Sequence, residues 1–409
     1  MTGRLRLDRI NFKKDTYLVV EGKQADRFFI ITAGNVRVSK ESMDVVKERD
    51  VLGPRDLCGV ISTMSSHGHI ETVQALTDVS VLSVQKEQYS DVIRNNSTLA
   101  MKIIRQFSKQ MRYLDEALTI RTLKQRTNED VSHLFDVAEY YAHRKWYNYA
   151  YFAYQQYLKH CPDGDKVNLA KDRLMEIGFQ VDPSEIAYRI EGSNRIYPQN
   201  TMFFSEAEPG DELFIIKKGS VKITKIIEQN EVLLAVLKEG DIFGEMALLE
   251  NKPRTASAVA YEECEVMAVS LENFKRIVVD LPDLTARITT ILAERIWLVY
   301  KQLTSTLLTD PVARMYDMLS IQLQKNRVDP ESKKDYTFDF GPKELSNMVG
   351  LSPAEGSATI SKMFEENTIR IVDDKIICLQ IANIFKINTF HWNTYKRQVK
   401  ISKQRGRWD

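Results

Sequence analysis

The sequence has little of what secreted, metal-dependent and membrane-spanning proteins need. It contains four widely separated cysteines, which form no pattern of zinc ligands, disulfides or redox pairs: Cys58, Cys161, Cys264 and Cys378. The N-terminus lacks an apolar core of the secretory type, and the most apolar helical stretch, ITTILAERIWLVY, is interrupted by Glu294 and Arg295. These absences predict a cytoplasmic protein with reduced thiols, no metal and no membrane span.

The sequence also lacks a charge imbalance. It has 57 Lys and Arg against 56 Asp and Glu, a net charge of +1, so composition alone does not require a polyanionic partner. With 43% hydrophobic and 28% charged residues it is typical of a globular protein. A chain of 409 residues exceeds what one hydrophobic core supports, which predicts several domains.

An internal repeat organises the chain. Residues 12–84 match residues 197–269 at a constant offset of 185 without a gap. In each copy, short β-rich runs such as LFIIKKGSVKITKI alternate polar with apolar residues and are separated by Gly and Asp, which predicts an antiparallel β-roll. A helical pattern with an apolar stripe follows each copy, from Leu99 to Leu118 and from Leu284 to Leu307. The two segments are therefore expected to have the same fold.

The second copy contains the segment FGEMALLENKPRTASAV, residues 243–259. This segment resembles the phosphate-binding cassette of the cyclic-nucleotide-binding domain, which the Crp-Fnr bacterial regulators share with the cyclic-nucleotide-dependent protein kinases. The resemblance covers residues 190–300 and implies a binding site for a cyclic mononucleotide, cAMP or cGMP. It places eight residues at that site: Phe243, Gly244, Glu245, Met246, Ala247, Arg254, Thr255 and Ala256.

The chemistry of the cassette agrees with this resemblance. A cyclic phosphodiester carries one negative charge, which Arg254 can meet with charge-assisted hydrogen bonds. Gly244 allows close approach of the backbone N–H groups that begin a short helix. Glu245 can accept a hydrogen bond from the ribose 2′-hydroxyl, and Thr255 adds a hydroxyl group. No paired carboxylates, nucleophilic triad or P-loop lysine accompany the cassette, so we expect a binding protein and not an enzyme.

The first copy differs at the positions that bind the ligand. At the offset of 185, Glu245 corresponds to Val60, Ala247 to Ser62 and Arg254 to His69. Thr255 and Ala256 correspond to Ile70 and Glu71. Since Val60 cannot accept a hydrogen bond and Glu71 would repel a phosphate, the first roll is expected to be degenerate and to serve packing or dimerisation. His67 and His69 lack a third metal ligand.

The segment between the rolls resembles one tetratricopeptide unit. Residues 131–164 have a helical periodicity that is broken at Pro162 and Gly164, and residues 167–177 form a third predicted helix. One unit cannot build a long peptide-binding groove. We expect a spacer, with binding of a protein partner through 131–177 as the alternative.

The C-terminal region resembles the winged helix-turn-helix of Crp-Fnr proteins. Asp373 and Asp374 are expected to form the tip of the wing hairpin. The recognition helix begins Ser-Pro-Ala-Glu at residue 352 and lacks the arginines that read bases in typical members. Residues 341–375 have a charge balance of −2, whereas residues 386–409 contain seven Lys or Arg and one Asp. This basic tail is suited either to an anionic partner or to solvent.

The sequence thus predicts an α+β multidomain chain with two jelly-roll-like β-rolls, a helical connector and a winged helix. The expected domains are residues 1–113, 114–182, 183–309, 310–385 and the tail 386–409. We expect a homodimeric, cyclic-nucleotide-responsive transcriptional regulator that favours cAMP. Pairing is predicted along the apolar stripe between Leu284 and Leu307. The alternative is a signalling or scaffold protein whose winged helix and connector bind other proteins instead of DNA.

Overall fold

The computed structural model describes residues 7–40, 51–123, 130–227 and 230–405. These residues form two compact units. The first unit holds two β-rolls, the helical connector and the first parts of two long helices. The second unit holds the ends of those helices, 117–123 and 297–305, together with the C-terminal elements. Among the described residues, no helix is both long and apolar enough to cross a bilayer.

The first roll consists of two four-stranded antiparallel sheets with a core of β-branched and aromatic side chains. The strand orders are β1-β8-β3-β6 and β2-β7-β4-β5. The strands are β1 (Asp8–Phe12), β2 (Tyr17–Val19), β3 (Arg27–Ala33), β4 (Val36–Ser39), β5 (Val51–Leu52), β6 (Leu57–Cys58), β7 (Thr72–Ala75) and β8 (Val79–Gln85). The helices are α1 (Val60–Ser65), α2 (Tyr89–Arg94) and α3 (Ser97–Leu123).

The connector follows with three helices, α4 (Leu134–His143), α5 (Tyr147–His160) and α6 (Val167–Ile177). The third helix occupies the residues predicted for it. Buried tyrosines and alanines pack α4 against α5, as the alternation of small and aromatic residues requires. The same core includes Met202, Ala207, Ile226 and Val259 of the second roll, so the connector is packed onto that roll. Its identification as a tetratricopeptide-like unit stays a prediction.

The second roll consists of a five-stranded and a four-stranded sheet, ordered β15-β12-β17-β10-β9 and β11-β16-β13-β14. The strands are β9 (Arg189–Glu191), β10 (Asn194–Tyr197), β11 (Met202–Phe204), β12 (Glu212–Lys218), β13 (Val221–Ile227), β14 (Asn230–Leu237), β15 (Ile242–Phe243), β16 (Ser257–Ala260) and β17 (Cys264–Ser270). The helices are α7 (Glu245–Glu250), α8 (Leu271–Asp280) and α9 (Pro282–Ser305). The two antiparallel β domains predicted from the repeat are confirmed.

The two rolls also share one strand register. Phe29 pairs with Cys58 in the first roll, and Phe214 pairs with Phe243 in the second, which is the same pair shifted by 185 residues. A bulge interrupts β3 and β12 at the same place. Since a slip of one residue would move every side chain to the other face of its sheet, this agreement supports the gap-free repeat.

The long helices differ from the prediction in two ways. Helix α3 runs without interruption to Leu123, so the boundary predicted at residue 113 falls inside a helix. A continuous apolar stripe stabilises the whole length, which leaves no break at that position. On α9, Ile288, Leu292 and Leu303 are at most 2% exposed within a single chain. Three residues of the stripe predicted for pairing two chains are therefore covered, whereas Leu284, Val299 and Leu307 are half-buried, and the homodimer stays a prediction.

The C-terminal elements form a helical group with a small sheet, ordered β18-β20-β19, around one hydrophobic core. They are α10 (Pro311–Lys325), β18 (Tyr336–Thr337), α11 (Pro342–Met348), α12 (Pro353–Glu365), β19 (Ile369–Val372), β20 (Lys375–Cys378) and α13 (Ile381–Arg405). Asp373 and Asp374 have positive φ at the turn between β19 and β20, the geometry of a two-residue hairpin. The winged-helix assignment of this region stays a prediction.

The segment predicted as a basic tail from residue 386 belongs to α13 as far as residue 405. Residues 406–409 lie outside the described residues. Trp392 Nε1 donates a hydrogen bond to Asp317 Oδ1 of α10 at 2.8 Å, and the Asp317 residue is only 4% exposed. Apolar residues at helical spacing, such as Ile384, anchor α13 in the core. This segment is thus a packed helix with an exposed cationic face.

The Trp392–Asp317 bond gives a test of that assignment. Trp392→Phe should lower the free energy of unfolding by about 1–3 kcal/mol, because it removes a partner of a buried carboxylate. Chemical denaturation monitored by circular dichroism measures this change. Asn393→Ala, at the neighbouring exposed position, is the control and should leave stability unaltered. An unaffected Trp392→Phe variant would mean that the Trp392–Asp317 bond does not stabilise the packing of α13 on α10.

Candidate functional site

The candidate site is built around the start of α7. Strand β15 ends at Phe243, and Gly244 follows with φ of 78°, a left-handed conformation that glycine adopts without strain. This turn directs the chain into α7, where Glu245 is the first residue. No side chain caps the first turn of the helix. The backbone geometry of this loop is therefore set by Gly244.

Glu245 is a buried carboxylate with one oxygen already engaged. The residue is 2% exposed, and its Oε1 accepts a hydrogen bond from Arg295 Nη1 of α9 at 2.9 Å. The same nitrogen donates to the carbonyl of Ile242 at 2.8 Å. Within the part of the chain that the structure describes, Glu245 Oε2 is buried and has no hydrogen-bond partner. An unsatisfied buried carboxylate oxygen is costly, so this atom is suited to an incoming donor.

Arg254 is a buried cation held against backbone carbonyls. It is 5% exposed, and its Nη1 and Nη2 donate to the carbonyls of Gly244 and Glu212 at 2.6 and 2.8 Å. The guanidinium lies over the Phe204 ring, 4.0 Å from the centroid. Its Nε is buried and has no hydrogen-bond partner among the described residues. The buried guanidinium thus keeps donor capacity at its Nε.

Carboxylates surround this guanidinium. Burial lowers the pKa of Arg254, and the charges of Glu208, Asp211, Glu245 and Glu212 oppose that shift. Burial raises the pKa of Glu208 to about 7, against a backbone hydrogen bond from Ser205 and the charge of Arg254. Arg254 is therefore surrounded by acidic side chains, and one of them, Glu208, changes its charge near neutral pH.

The backbone of Gly210 lies close to the side chains of Arg254 and Ala247. A Cβ atom at Gly210 would come within 2.4 Å of Arg254 Cζ and 2.8 Å of Ala247 Cβ. The loop before β12 therefore packs directly on Arg254 and Ala247, the two candidates for binding the phosphate. Only glycine leaves room for the guanidinium in this position.

The structure brings the predicted residues Gly244, Glu245, Ala247 and Arg254 together around one point. Met246 and Thr255 are half-buried beside them, and Ala256 is buried in the next turn. Phe243 differs, because its ring lies in a core of phenylalanines, 5.1 Å from the ring of Phe214. The side chain of Phe243 therefore shapes the roll and does not face the site. The ligand roles of these residues stay predictions.

Three further residues at the site were not predicted from the sequence. They are Arg295, Glu208 and Gly210, which contact or surround the cassette but lie outside residues 243–259. Only Arg295 had a signal, since it interrupts an otherwise apolar helical stretch. Burial of a charged residue on such a stripe requires a partner, and Glu245 is that partner.

The equivalent position in the first roll is filled from within. Glu71 Oε1 accepts a hydrogen bond from the backbone N–H of Gly59 at 2.9 Å. Ser62 Oγ accepts from the N–H of Ile70 at 3.1 Å. Gly59 and Ser62 are the counterparts of Gly244 and Ala247. Where the second roll presents Arg254, the first presents His69, whose pKa is lowered by burial.

No group of three or more His, Cys, Asp or Glu side chains is placed to hold a metal ion within the described ranges.

One further acid lies close to the site. Asp115 of α3 is half-buried, and burial raises its pKa to about 6, against the opposing charge of Arg295. The nearby Glu245 raises this pKa further, while Lys225 and Arg112 lower it. Helix α3 of the first roll therefore contributes a titratable group to the surroundings of the cassette.

Asp115 predicts how stability depends on pH. Its pKa is raised above the ordinary value of 3.8, so the folded state holds the proton more tightly than the unfolded chain. The stabilisation from Asp115 is complete below pH 4 and is lost as the pH rises through about 6. Asp115→Asn should therefore be more stable than the natural protein at pH 7, by on the order of 2 kcal/mol.

Urea denaturation between pH 4 and 8 measures this dependence. The exposed Asp172 of α6 offers a matched control, since Asp172→Asn should leave the pH profile unchanged. Parallel profiles for the Asp115→Asn variant and the natural protein would show that Asp115 does not titrate differently on folding.

Comparison with known proteins agrees with the repeat. The cyclic nucleotide-binding domain family matches residues 9–96 and 194–280, one match on each β-roll. The CRP-like cAMP-activated global transcriptional regulator of Mycobacterium tuberculosis is 26% identical over 199 residues, which cover 48% of this chain and 89% of that protein. The cyclic AMP receptor protein of Thermus thermophilus is 29% identical over 184 residues, or 43% of this chain and 79% of that protein.

Two further likenesses extend this comparison. The cGMP-dependent protein kinase egl-4 of Caenorhabditis briggsae is 23% identical over 66% of this chain, but only over 27% of the kinase. A CooA mutant from Carboxydothermus hydrogenoformans is similar in structure with a TM-score of 0.41 and 18% identity, covering 50% of this chain and 88% of that one. The chain contains two copies of the cyclic nucleotide-binding domain and is homologous to regulators of the Crp-Fnr family.

Proposed function

We propose that the second roll binds a 3′,5′-cyclic nucleotide, with cAMP preferred to cGMP, and that the chain is a transcriptional regulator. The observation that carries this proposal is the buried pair of Arg254 and Glu245 beside Gly244. Arg254 keeps a buried N–H without a partner, and Glu245 keeps a buried oxygen without one, as far as the described residues extend. A cyclic phosphate and a ribose hydroxyl have the complementary groups.

The roles in this site follow from charge and hydrogen bonding. The phosphodiester anion accepts from Arg254 and from backbone N–H groups near Ala247. The ribose 2′-hydroxyl donates to Glu245 Oε2, which leaves the bond between Glu245 Oε1 and Arg295 intact. Because Arg295 lies on α9, ligand at Glu245 acts on the helix that leads to the C-terminal unit. Only a difference in affinity between two helix arrangements shifts their equilibrium.

The preference for cAMP has separate support. Two relatives are named as a cAMP-activated regulator and a cyclic AMP receptor protein, and a more distant one as a cGMP-dependent kinase. Thr255 is half-buried beside Arg254, and its hydroxyl suits either base. The regulators are favoured over the kinase because the matches span 89% and 79% of the two regulators but only 27% of the kinase.

The proposed output is a winged helix formed by α10–α13 and the hairpin of β19 and β20. In this assignment α12 is the recognition helix, whose exposed face carries Ala354, Ser357, Ala358 and Lys362. Its Glu355 accepts hydrogen bonds from the backbone and hydroxyl of Ser352 in a capping box, which ties this carboxylate to the helix end. We therefore propose weak base recognition and contacts mainly to phosphate.

The cations for such contacts lie on α13. Lys386, Lys396, Arg397 and Lys400 are exposed along this helix. Each phosphate neutralised by Lys or Arg releases counterions, so binding through them weakens as salt rises. Two chains on a palindromic site would supply the two winged helices that such DNA requires.

A scaffold protein without DNA binding is the second candidate. The poor set of base-reading side chains on α12 favours it, as does the aromatic surface of the connector, where Trp146 is 40% exposed. In that case the C-terminal unit would bind a protein in place of DNA.

The ligand site makes a quantitative prediction. Calorimetric titration should give binding of cAMP, and weaker binding of cGMP, to the full chain. Arg254→Glu should abolish binding because it places a negative charge beside the phosphate. Gly210→Ala should weaken binding at least about tenfold, since the new methyl group displaces the Arg254 guanidinium, the flexible end of a side chain.

Two variants control for indirect effects. Gly178→Ala adds the same methyl group where nothing lies within 4 Å, and Arg287→Glu reverses an exposed charge on α9. Both should bind cAMP as the natural protein does. Tight binding by Arg254→Glu would overturn the assignment of the phosphate clamp.

The DNA output is tested separately. Fluorescence anisotropy at several salt concentrations, with and without cAMP, should detect DNA binding that weakens with salt. The double variant Arg397→Gln/Lys400→Gln should reduce the slope of log affinity against log salt by about two for each chain bound. Lys109→Gln/Lys171→Gln removes equal charge from exposed positions in the first unit and should keep the slope. Absence of salt-dependent binding in either ligand state would favour the scaffold candidate.

A further inference from the structure

Helix α3 of the first roll holds both ends of the loop that carries Arg254 in the second roll. Ser108 Oγ donates to Glu250 Oε1 at 3.0 Å, and Arg112 Nε lies 3.3 Å from Glu250 Oε2. Both terminal nitrogens of Arg112 donate to the carbonyl of Pro253 at 3.3 Å. Glu250 ends α7, and Pro253 directly precedes Arg254. The loop between them is thus fixed from outside its own roll.

This contact is buried and specific. The side chains of Arg112 and Glu250 are 7% and 8% exposed, unlike the surface pairs elsewhere in the chain. A buried pair holds its partners in one geometry, because any other arrangement leaves a charge without compensation. The planar guanidinium of Arg112 meets a carboxylate and a carbonyl at once, which an ammonium group cannot do in the same way.

One further hydrogen bond and one electrostatic interaction link the two rolls. Tyr89 of the first roll and Thr289 of α9 share a hydrogen bond of 3.2 Å between buried hydroxyls. Asp115, one turn beyond Arg112 on α3, lies within electrostatic range of Glu245 and Arg295. The first roll therefore borders the candidate site at its loop and at the carboxylate that faces the ribose.

We infer that the first roll positions the nucleotide site of the second roll, and that Arg112 is its principal positioning residue. This inference rests on the proposed function, since the site must bind a cyclic nucleotide for its positioning to matter. The first roll has lost its own phosphate clamp, and Glu71 fills the corresponding place. It retains the helix that contacts its neighbour. Its role in the chain is that of a permanently attached partner domain.

Titration of the full chain with cAMP and with cGMP tests this role. Arg112→Ala should weaken binding on the order of tenfold, as expected for coupling between two linked sites. Arg112→Lys, which pairs with Glu250 but does not also hold Pro253 in the same way, should fall between. Arg105→Ala, an exposed arginine on the same helix, is the matched control and should bind normally.

A double variant separates positioning from loss of stability. Arg112→Leu/Glu250→Leu removes both charges of the pair, so neither partner is left as an uncompensated buried ion, and the double variant should be more stable than Arg112→Ala. Its affinity should still be as low as that of Arg112→Ala. If the double variant binds cyclic nucleotide as tightly as the natural protein, the contact serves packing only and the inference is wrong.

Hydrogen exchange without nucleotide keeps this test independent of the proposed function. The backbone amides of residues 251, 252 and 254–256 should exchange faster in Arg112→Ala than in Arg105→Ala. Equal exchange in the two variants would overturn the positioning role. If the natural protein binds neither nucleotide while exchange differs as expected, the proposed function fails but the contact of α3 with the cassette loop stands.

Discussion

The buried charge of Arg254 is the constraint on which the second roll depends. A guanidinium that is 5% exposed requires compensation, and here two backbone carbonyls, one aromatic ring and several carboxylates provide it. Each of those partners comes from a different segment: the glycine turn before α7, strand β12 and strand β11. Holding the charge therefore fixes the geometry of the roll around it.

The first roll has the same backbone arrangement at its glycine turn, but a carboxylate and not a guanidinium bonds to that turn. It keeps the glycine turn and the strand register, but it carries no arginine at the equivalent position. The carboxylate of Glu71 takes the Gly59 N–H as its donor instead. The Glu71 carboxylate carries the same negative charge that the phosphate of a ligand would bring to this position. The turn of the first roll therefore has an acceptor for its backbone N–H within its own chain.

Sequence reasoning predicted what depends on local pattern. The offset of 185 gave both rolls and their register, and the two aspartates at 373 and 374 gave the hairpin turn. What it could not predict depends on contacts between distant segments. Arg112 and Glu250 are 138 positions apart, and in the sequence each of them resembles an ordinary surface charge. The domain boundary predicted at residue 113 falls inside α3 because this helix continues without interruption to Leu123.

Joining the two rolls in one chain has a further physical consequence. By linkage, a ligand that is bound more tightly when α3 is docked must also favour the docking of α3, by the same free energy. In an assembly of separate subunits such a contact would depend on protein concentration. Here the partner is covalently attached, so its effective concentration is constant and only the ligand concentration sets the response. The contact of Ser108 and Arg112 on α3 with the second roll does not depend on whether the first roll binds a ligand of its own.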